Sequence, residues 1–119
     1  MKVIIAGGRE FKNMELMTKK MDFFLSNVTD IEIVSGKARG ADAIGEEYAK
    51  LRNYPIVEFP ANWDKYKKGA GYKRNVEMAD YADALVAFWD GESRGTQHMI
   101  NIANKRGIQV KIIKYGKST

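Results

Sequence analysis

Four short stretches of the chain combine glycine with charge in patterns suited to holding a phosphate or a ribose. In Gly7-Gly8-Arg9-Glu10 the two glycines let backbone N–H groups approach a ligand closely, Arg9 can pair with a phosphate or carboxylate, and Glu10 can reach ribose hydroxyls or a cation. A tight turn carrying a solvated ion pair explains the same residues. The G-x-G-x-x-G spacing of a dinucleotide fingerprint is missing. Ser35-Gly36-Lys37-Ala38-Arg39-Gly40-Ala41-Asp42 gathers two glycines, two cations and an aspartate in one connection. Its amides, with Lys37 or Arg39, suit an anion. Asp42 suits either ligand contact or the capping of its helix, and Lys37 suits either an anion or solvent.

Gly69-Ala70-Gly71-Tyr72-Lys73-Arg74-Asn75 follows Lys65, Lys67 and Lys68, which read as solvated surface. Arg74 can hold a phosphate bidentately, while Asn75 can both donate to and accept from a base or sugar. In Asp90-Gly91-Glu92-Ser93-Arg94-Gly95-Thr96, Gly95 and Thr96 would offer amides and a hydroxyl at a helix start, as phosphate sites require. The plain alternative is a flexible loop with a threonine cap. His98, a lone histidine, reads as structural before catalytic. Trp63 and Trp89 read as core or rim aromatics, either of which could stack on a base.

These stretches are positioned by alternating elements. Lys2 to Ala6 is a short continuous apolar run, expected to be a central strand buried on both faces. Met14, Met17, Met21, Phe24, Leu25 and Val28 recur at helical spacing and predict a first helix covering the sheet. Ile31 to Val34 predicts a second strand, followed by a helix with Ile44, Tyr48 and Leu51 turned inward. Ile56 to Phe59 predicts a third strand, after which Pro60-Ala61-Asn62-Trp63 breaks into a polar, lysine-rich loop. A helix over about Tyr72 to Tyr81, a strand over Ala84 to Trp89, a helix burying Met99, Ile100 and Ala103 and ending near Gly107, and a strand over Ile108 to Ile113 complete the series. Only Gly116-Lys117-Ser118-Thr119 reads as a loose tail.

The order β-α-β-α-β-α-β-α-β predicts an α/β fold: one Rossmann-like three-layer domain over residues 1–119 with a mostly parallel five-stranded sheet. Each glycine turn that joins a strand to the next helix then emerges on one edge. If the first and fourth strands are neighbours where the strand order reverses, the first and last of these stretches face each other there, beyond the carboxyl ends of the strands.

Composition limits the chemistry. The 119 residues carry no cysteine and one histidine, which excludes disulfides, thiolate zinc sites, cysteine nucleophiles and histidine-rich metal clusters. A formal net charge of +5 fits an anionic partner without naming it. The first apolar run, Val3-Ile4-Ile5, is too short for a signal-peptide core, and no stretch is long enough to span a membrane, so the expected location is the cytoplasm.

Taken together, Gly7-Gly8-Arg9-Glu10-Phe11, Val34-Ser35-Gly36-Lys37-Ala38-Arg39-Gly40-Ala41-Asp42, Phe59-Pro60-Ala61-Asn62-Trp63, Arg74-Asn75 with Met78, and Arg94-Gly95-Thr96 resemble the SLOG superfamily, in its small YspA-like branch. The resemblance implies a Rossmann-like sheet that binds nucleotides or nucleotide-derived ligands, ADP-ribose-like molecules among them. It implies ligand-facing roles for Gly8, Arg9, Gly36, Arg39, Asp42, Arg74, Asn75, Gly95 and Thr96, to which position adds Gly7, Glu10, Gly40 and Asp90. A homo-oligomer whose neighbours complete the pocket is a further expectation from the resemblance. No cofactor and no metal are implied.

One departure bears on mechanism. Phosphoribohydrolases of the superfamily carry Pro-Gly-Gly-x-Gly-Thr-x-x-Glu, whereas here the proline and paired glycines are absent and Met99 stands three residues after Thr96. Cleaving an N-glycosidic bond passes through a cationic sugar that a carboxylate stabilises and a thioether does not. The reading therefore leans away from catalysis, towards a sensor or a protein that sequesters its ligand. An N-glycosidic hydrolase would draw on Glu10, Asp42 or Asp90, with Arg74 on the phosphate. Single-stranded nucleic-acid binding through Lys65, Lys67, Lys68, Lys73 and Arg74, with Trp63 or Tyr72 stacking on bases, ranks below both.

Overall fold

The computed structural model describes residues 1–116. Of the expected tail, Gly116-Lys117-Ser118-Thr119, the last three residues lie outside them. β1 (Lys2–Gly7), β2 (Glu32–Ser35), β3 (Ile56–Glu58), β4 (Ala84–Trp89) and β5 (Gln109–Lys114) form one sheet in the order β3-β2-β1-β4-β5. All four pairings are parallel, as the alternation of elements predicts. β1 and β4 are neighbours, with Val3 opposite Ala84 and Gly7 opposite Phe88, so the order reverses between them.

Helices cover both faces because the strand side chains alternate. Val3 and Ile5 point into a cluster with Met17 and Met21 of α1 (Met14–Phe24) and Tyr48 and Ala49 of α2 (Ala41–Arg52). Ile4 and Ala6 point the other way, towards Met78 and Ala79 of α4 (Ala70–Tyr81) and Met99, Ile100 and Ala103 of α5 (Arg94–Arg106). Asn13 starts α1 by accepting the Leu16 N–H at 2.9 Å, and Gly107 ends α5 in the left-handed conformation that glycine adopts without strain.

Two expectations need correction. Leu51 does not turn inward; it is 57% exposed. The helix rotates it out because α2 lies so close to the sheet at Gly45 that an added Cβ would stand 2.8 Å from Ile5 Cγ2, and the buried stripe runs through Ala41, Gly45, Tyr48 and Ala49 instead. The lysine-rich segment is not an irregular loop. Asn62 accepts the Lys65 N–H at 3.1 Å and starts a short helical turn, α3 (Trp63–Tyr66), which passes into a 3-10 turn at Lys67–Gly69 and then directly into α4.

α1 and α2 are tied by a polar clamp that spacing along the chain does not reveal. Asp22 accepts the Tyr48 hydroxyl at 2.7 Å and both Nε and Nη2 of Arg52, at 3.0 and 2.6 Å. The Arg52 contact outweighs the cost of removing Asp22 from water and holds its carboxyl below the usual range.

Candidate functional site

Beyond the carboxyl ends of β1 and β4 lies a cavity of about 420 Å³. Its floor is built by close backbone approach. At Gly7 a Cβ would collide with Phe88 O across the β1–β4 pair, so no larger residue fits there. Gly8 O accepts both the Phe11 N–H at 3.3 Å and the Ala41 N–H at 3.1 Å, which fastens the loop after β1 to the start of α2. Gly40, at a φ of +77°, packs its Cα against the Gly8–Arg9 backbone where a side chain would clash.

The loop after β2 supplies the cavity with Ala38, the first turn of α2 with Asp42, and α4 with Arg74 and Asn75. Gly36 makes room for them. A Cβ there would stand 2.7 Å from Arg74 Nη1 and 2.9 Å from Asp42 Oδ2. Arg74 Nη1 donates to Gly36 O, and its Nε is buried without a partner among the described residues. Asp42 is not a helix cap: Gly40 holds that position, and Asp42, inside the first turn, accepts the Ala38 N–H at 3.2 Å. Burial raises the Asp42 pKa to about 6, against the opposing pull of the Ala38 amide and the Arg74 charge. Burial likewise lowers the Arg74 pKa from its ordinary value, while the Asp42 charge raises it and that of Arg9 lowers it further.

The third wall is the start of α5. Ser93 is its cap, accepting the Thr96 N–H at 3.5 Å, with the two hydroxyls 3.1 Å apart. Arg94, Gly95 and buried Thr96 line the cavity in that first turn, whose leading N–H groups have no carbonyl ahead of them in the helix. Asp90 shapes the preceding loop by accepting the Glu92 and Ser93 amides at 2.8 and 2.9 Å. Asn75 Nδ2 crosses from α4 to donate to Gly95 O at 3.3 Å and meets His98 Nδ1 at 3.1 Å.

Of the residues singled out from sequence, Gly7, Arg9, Asp42, Arg74, Asn75, Gly95 and Thr96 line this cavity. Gly8, Glu10, Gly36, Arg39, Gly40 and Asp90 do not. Gly36 and Gly40 stand behind the wall as spacers, and the Tyr115 hydroxyl fills the space beside Gly8. Glu10 and Arg39 pair with each other at 3.4 Å in solvent, both more than 70% exposed. Lys37 is held by Glu46 at 3.0 Å and Glu58 at 3.3 Å, away from the cavity. Trp89 donates its indole N–H to Ser93 O at 3.2 Å and braces the loop, leaving it no place in the cavity lining.

Arg94 and Lys68 join the lining although neither was among the expected ligand-facing residues, Lys68 standing only in the nucleic-acid alternative. Arg94 lies inside a singled-out stretch and was legible there; Lys68 is brought in by the helical turns around α3. Trp63 and Tyr72, 54% and 49% exposed, form the outer rim, with the Tyr72 ring tilted by 38° against His98 at 4.3 Å between ring centres. Cations thus outnumber carboxylates in the lining: Arg9, Lys68, Arg74 and Arg94 against Asp42 alone.

The family described as YspA, cpYpsA-related SLOG matches this chain over residues 1–66. A gene 61 protein of Mycobacterium phage D29 is 34% identical over 116 residues, covering 92% of this chain and 93% of that protein. The solved structure of DNA processing protein A from Streptococcus pneumoniae has the same fold, with a TM-score of 0.78 at 18% identity. It covers 98% of this chain, which spans 51% of the length of that one.

Proposed function

Because the chain belongs to the YspA, cpYpsA-related SLOG family, we propose that its cavity binds a nucleotide or nucleotide-derived ligand of the ADP-ribose kind, as a sensor or a protein that sequesters it. The observation that carries this reading is the charge of the lining: four cations and the first turn of α5 converge on one cavity, opposed by a single carboxylate. Such a site favours an anion with several oxygens, and Arg74, held by Gly36 O, is already oriented. The cavity volume, about 420 Å³, suits a ligand of nucleotide size, and the aromatic rim offers faces for a base.

Calorimetry with AMP, ADP-ribose, NAD and cyclic nucleotides tests this. At least one of them is expected to bind at micromolar to low millimolar concentration; heats of dilution throughout would remove the reading.

Asp42 favours a second reading, an N-glycosidic hydrolase. It is the one acidic side chain in the lining, and its pKa of about 6 leaves it able to exchange a proton near neutrality. Ionised, it would stabilise the cationic sugar and take a proton from the attacking water, whose hydroxide bonds to the sugar carbon; the base leaves with the bonding pair and takes a proton from solvent, to which Asp42 returns its own. Glu10 and Asp90 do not line the cavity, so Asp42 carries this reading alone. Chromatography of the same mixtures after long incubation decides it, through the appearance or absence of free base.

A further inference from the structure

Resting on the nucleotide reading above, we propose that Asn75 reads a ribose hydroxyl: its amide is held with Oδ1 as a fixed hydrogen-bond acceptor, selecting ribonucleotides over deoxyribonucleotides. An amide side chain ordinarily offers two donors and an acceptor. Here both donors are spent inside the protein. Gly95 O can only accept, so the amide nitrogen must face it, and the same nitrogen meets His98 Nδ1, which is thereby the acceptor of the neutral ring. Two acceptors take the two hydrogens.

The oxygen is left without a donor. No residue of the described chain donates to Asn75 Oδ1, and it is not among the polar atoms sealed away from solvent without a partner, although Asn75 as a whole is 7% exposed. A residue more than nine-tenths buried, in the cavity wall, therefore keeps one acceptor open. Leaving such a group unpaired costs free energy that a ligand donor recovers, so the site discriminates against a ligand lacking that donor.

Position identifies the donor. Asn75 follows Arg74 in α4 and is bonded to Gly95 in the first turn of α5, so it adjoins the groups suited to phosphate. In a nucleotide the groups next to the phosphate belong to the sugar, with the base one sugar further on. The bidentate donor-and-acceptor contact by which an asparagine reads adenine is unavailable, since no amide hydrogen is left.

The test is calorimetry of the wild-type protein with AMP, 2′-deoxy-AMP, 3′-deoxy-AMP and IMP, repeated with Asn75→Ala. At least one deoxynucleotide is expected to bind about tenfold more weakly than AMP or worse, with IMP close to AMP, and Asn75→Ala to abolish that difference by weakening AMP. Equal binding of AMP and both deoxynucleotides overturns the inference and leaves the nucleotide site standing. So does a loss confined to IMP, which would place Asn75 against the base. A preference that survives Asn75→Ala assigns it to another residue. Absence of binding by all four, with none from the wider panel, overturns the nucleotide reading and this inference together. Equal binding in the wild-type series overturns the inference without the variant, and Asn75→Leu, which also lacks the acceptor, repeats the comparison if Asn75→Ala does not fold.

Discussion

Asp42 and Arg74 meet around Gly36, and their shifts explain each other. Each charge eases the burial of the other, yet burial dominates for both, so Asp42 stays protonated to a higher pH than an exposed aspartate. Its folded-state pKa, about 6, lies above the 3.8 of an ordinary aspartate, so the folded chain binds this proton more tightly than the unfolded chain does. The resulting stability is fully present below the unfolded value and is lost as pH rises through the folded one. Asp42→Asn removes the dependence. Relative to wild type, the variant is expected to gain by up to about 3 kcal/mol between pH 4 and pH 7 in denaturant unfolding. A difference between the two proteins that is flat with pH would show that Asp42 ionises freely in the fold. Asp22 runs the other way, its depressed pKa giving stability above the unfolded value that is lost as pH falls through the folded one. That background is common to both proteins and cancels in the comparison.

Among the elements, α2 does the most to place the site, because its first turn carries Asp42 and its start is fastened to Gly8 O. Its depth is set at Gly45, where an added Cβ would press on Ile5 of β1, itself 1% exposed. Ile5 sits in the middle of the sheet and cannot yield without moving β1. Gly45→Val should therefore lower stability by about 1–3 kcal/mol through overpacking, beyond anything helix propensity returns. Thermal unfolding reads this as a fall in Tm, and an unchanged Tm would mean that α2 tolerates a wider spacing. α3 and the 3-10 turn act differently, bringing Lys68 and Trp63 over the cavity mouth although nearly all of their residues are exposed. Such poorly buried turns are where adjustment to a ligand costs least.

For the whole molecule, the formal charge of +5 is spread over many surface lysines, but the cavity concentrates four cations against one acid. Screening by salt acts on that concentration. AMP affinity is expected to fall several-fold between low and high ionic strength, with adenosine, which has no phosphate, little affected. Equal salt sensitivity of the two ligands in calorimetry would detach the binding from the cationic lining. A far steeper slope with single-stranded oligonucleotides than with AMP would instead favour a nucleic-acid surface along Lys65, Lys67, Lys68 and Lys73.

Most of the architecture could be read along the chain, because strand and helix periods, glycine turns and the run from Ala84 to Trp89 are local signals. The alternation of elements then restricts the sheet to parallel strands with their connecting turns on one edge. That β1 and β4 are neighbours was only a condition along the chain; the folded sheet supplies it, and with it the location of the cavity. Which charged residues line it was decided only by tertiary packing. Glu10 and Arg39 carry the same kinds of charge as Arg9 and Asp42 within the same two segments, yet they pair in solvent while the others line the cavity, where Gly40 packs on the Gly8–Arg9 backbone, Gly36 leaves room for Arg74 and Asp42, and Tyr115 fills the space beside Gly8. Asn75 makes the same point. Its type announces a donor and an acceptor, whereas the carbonyl of Gly95 and the ring of His98, 20 and 23 residues further along the chain, consume the donors and leave the acceptor. Periodicity records which face of an element is buried; the remaining hydrogen-bonding capacity of a side chain depends on neighbours that only the folded chain supplies.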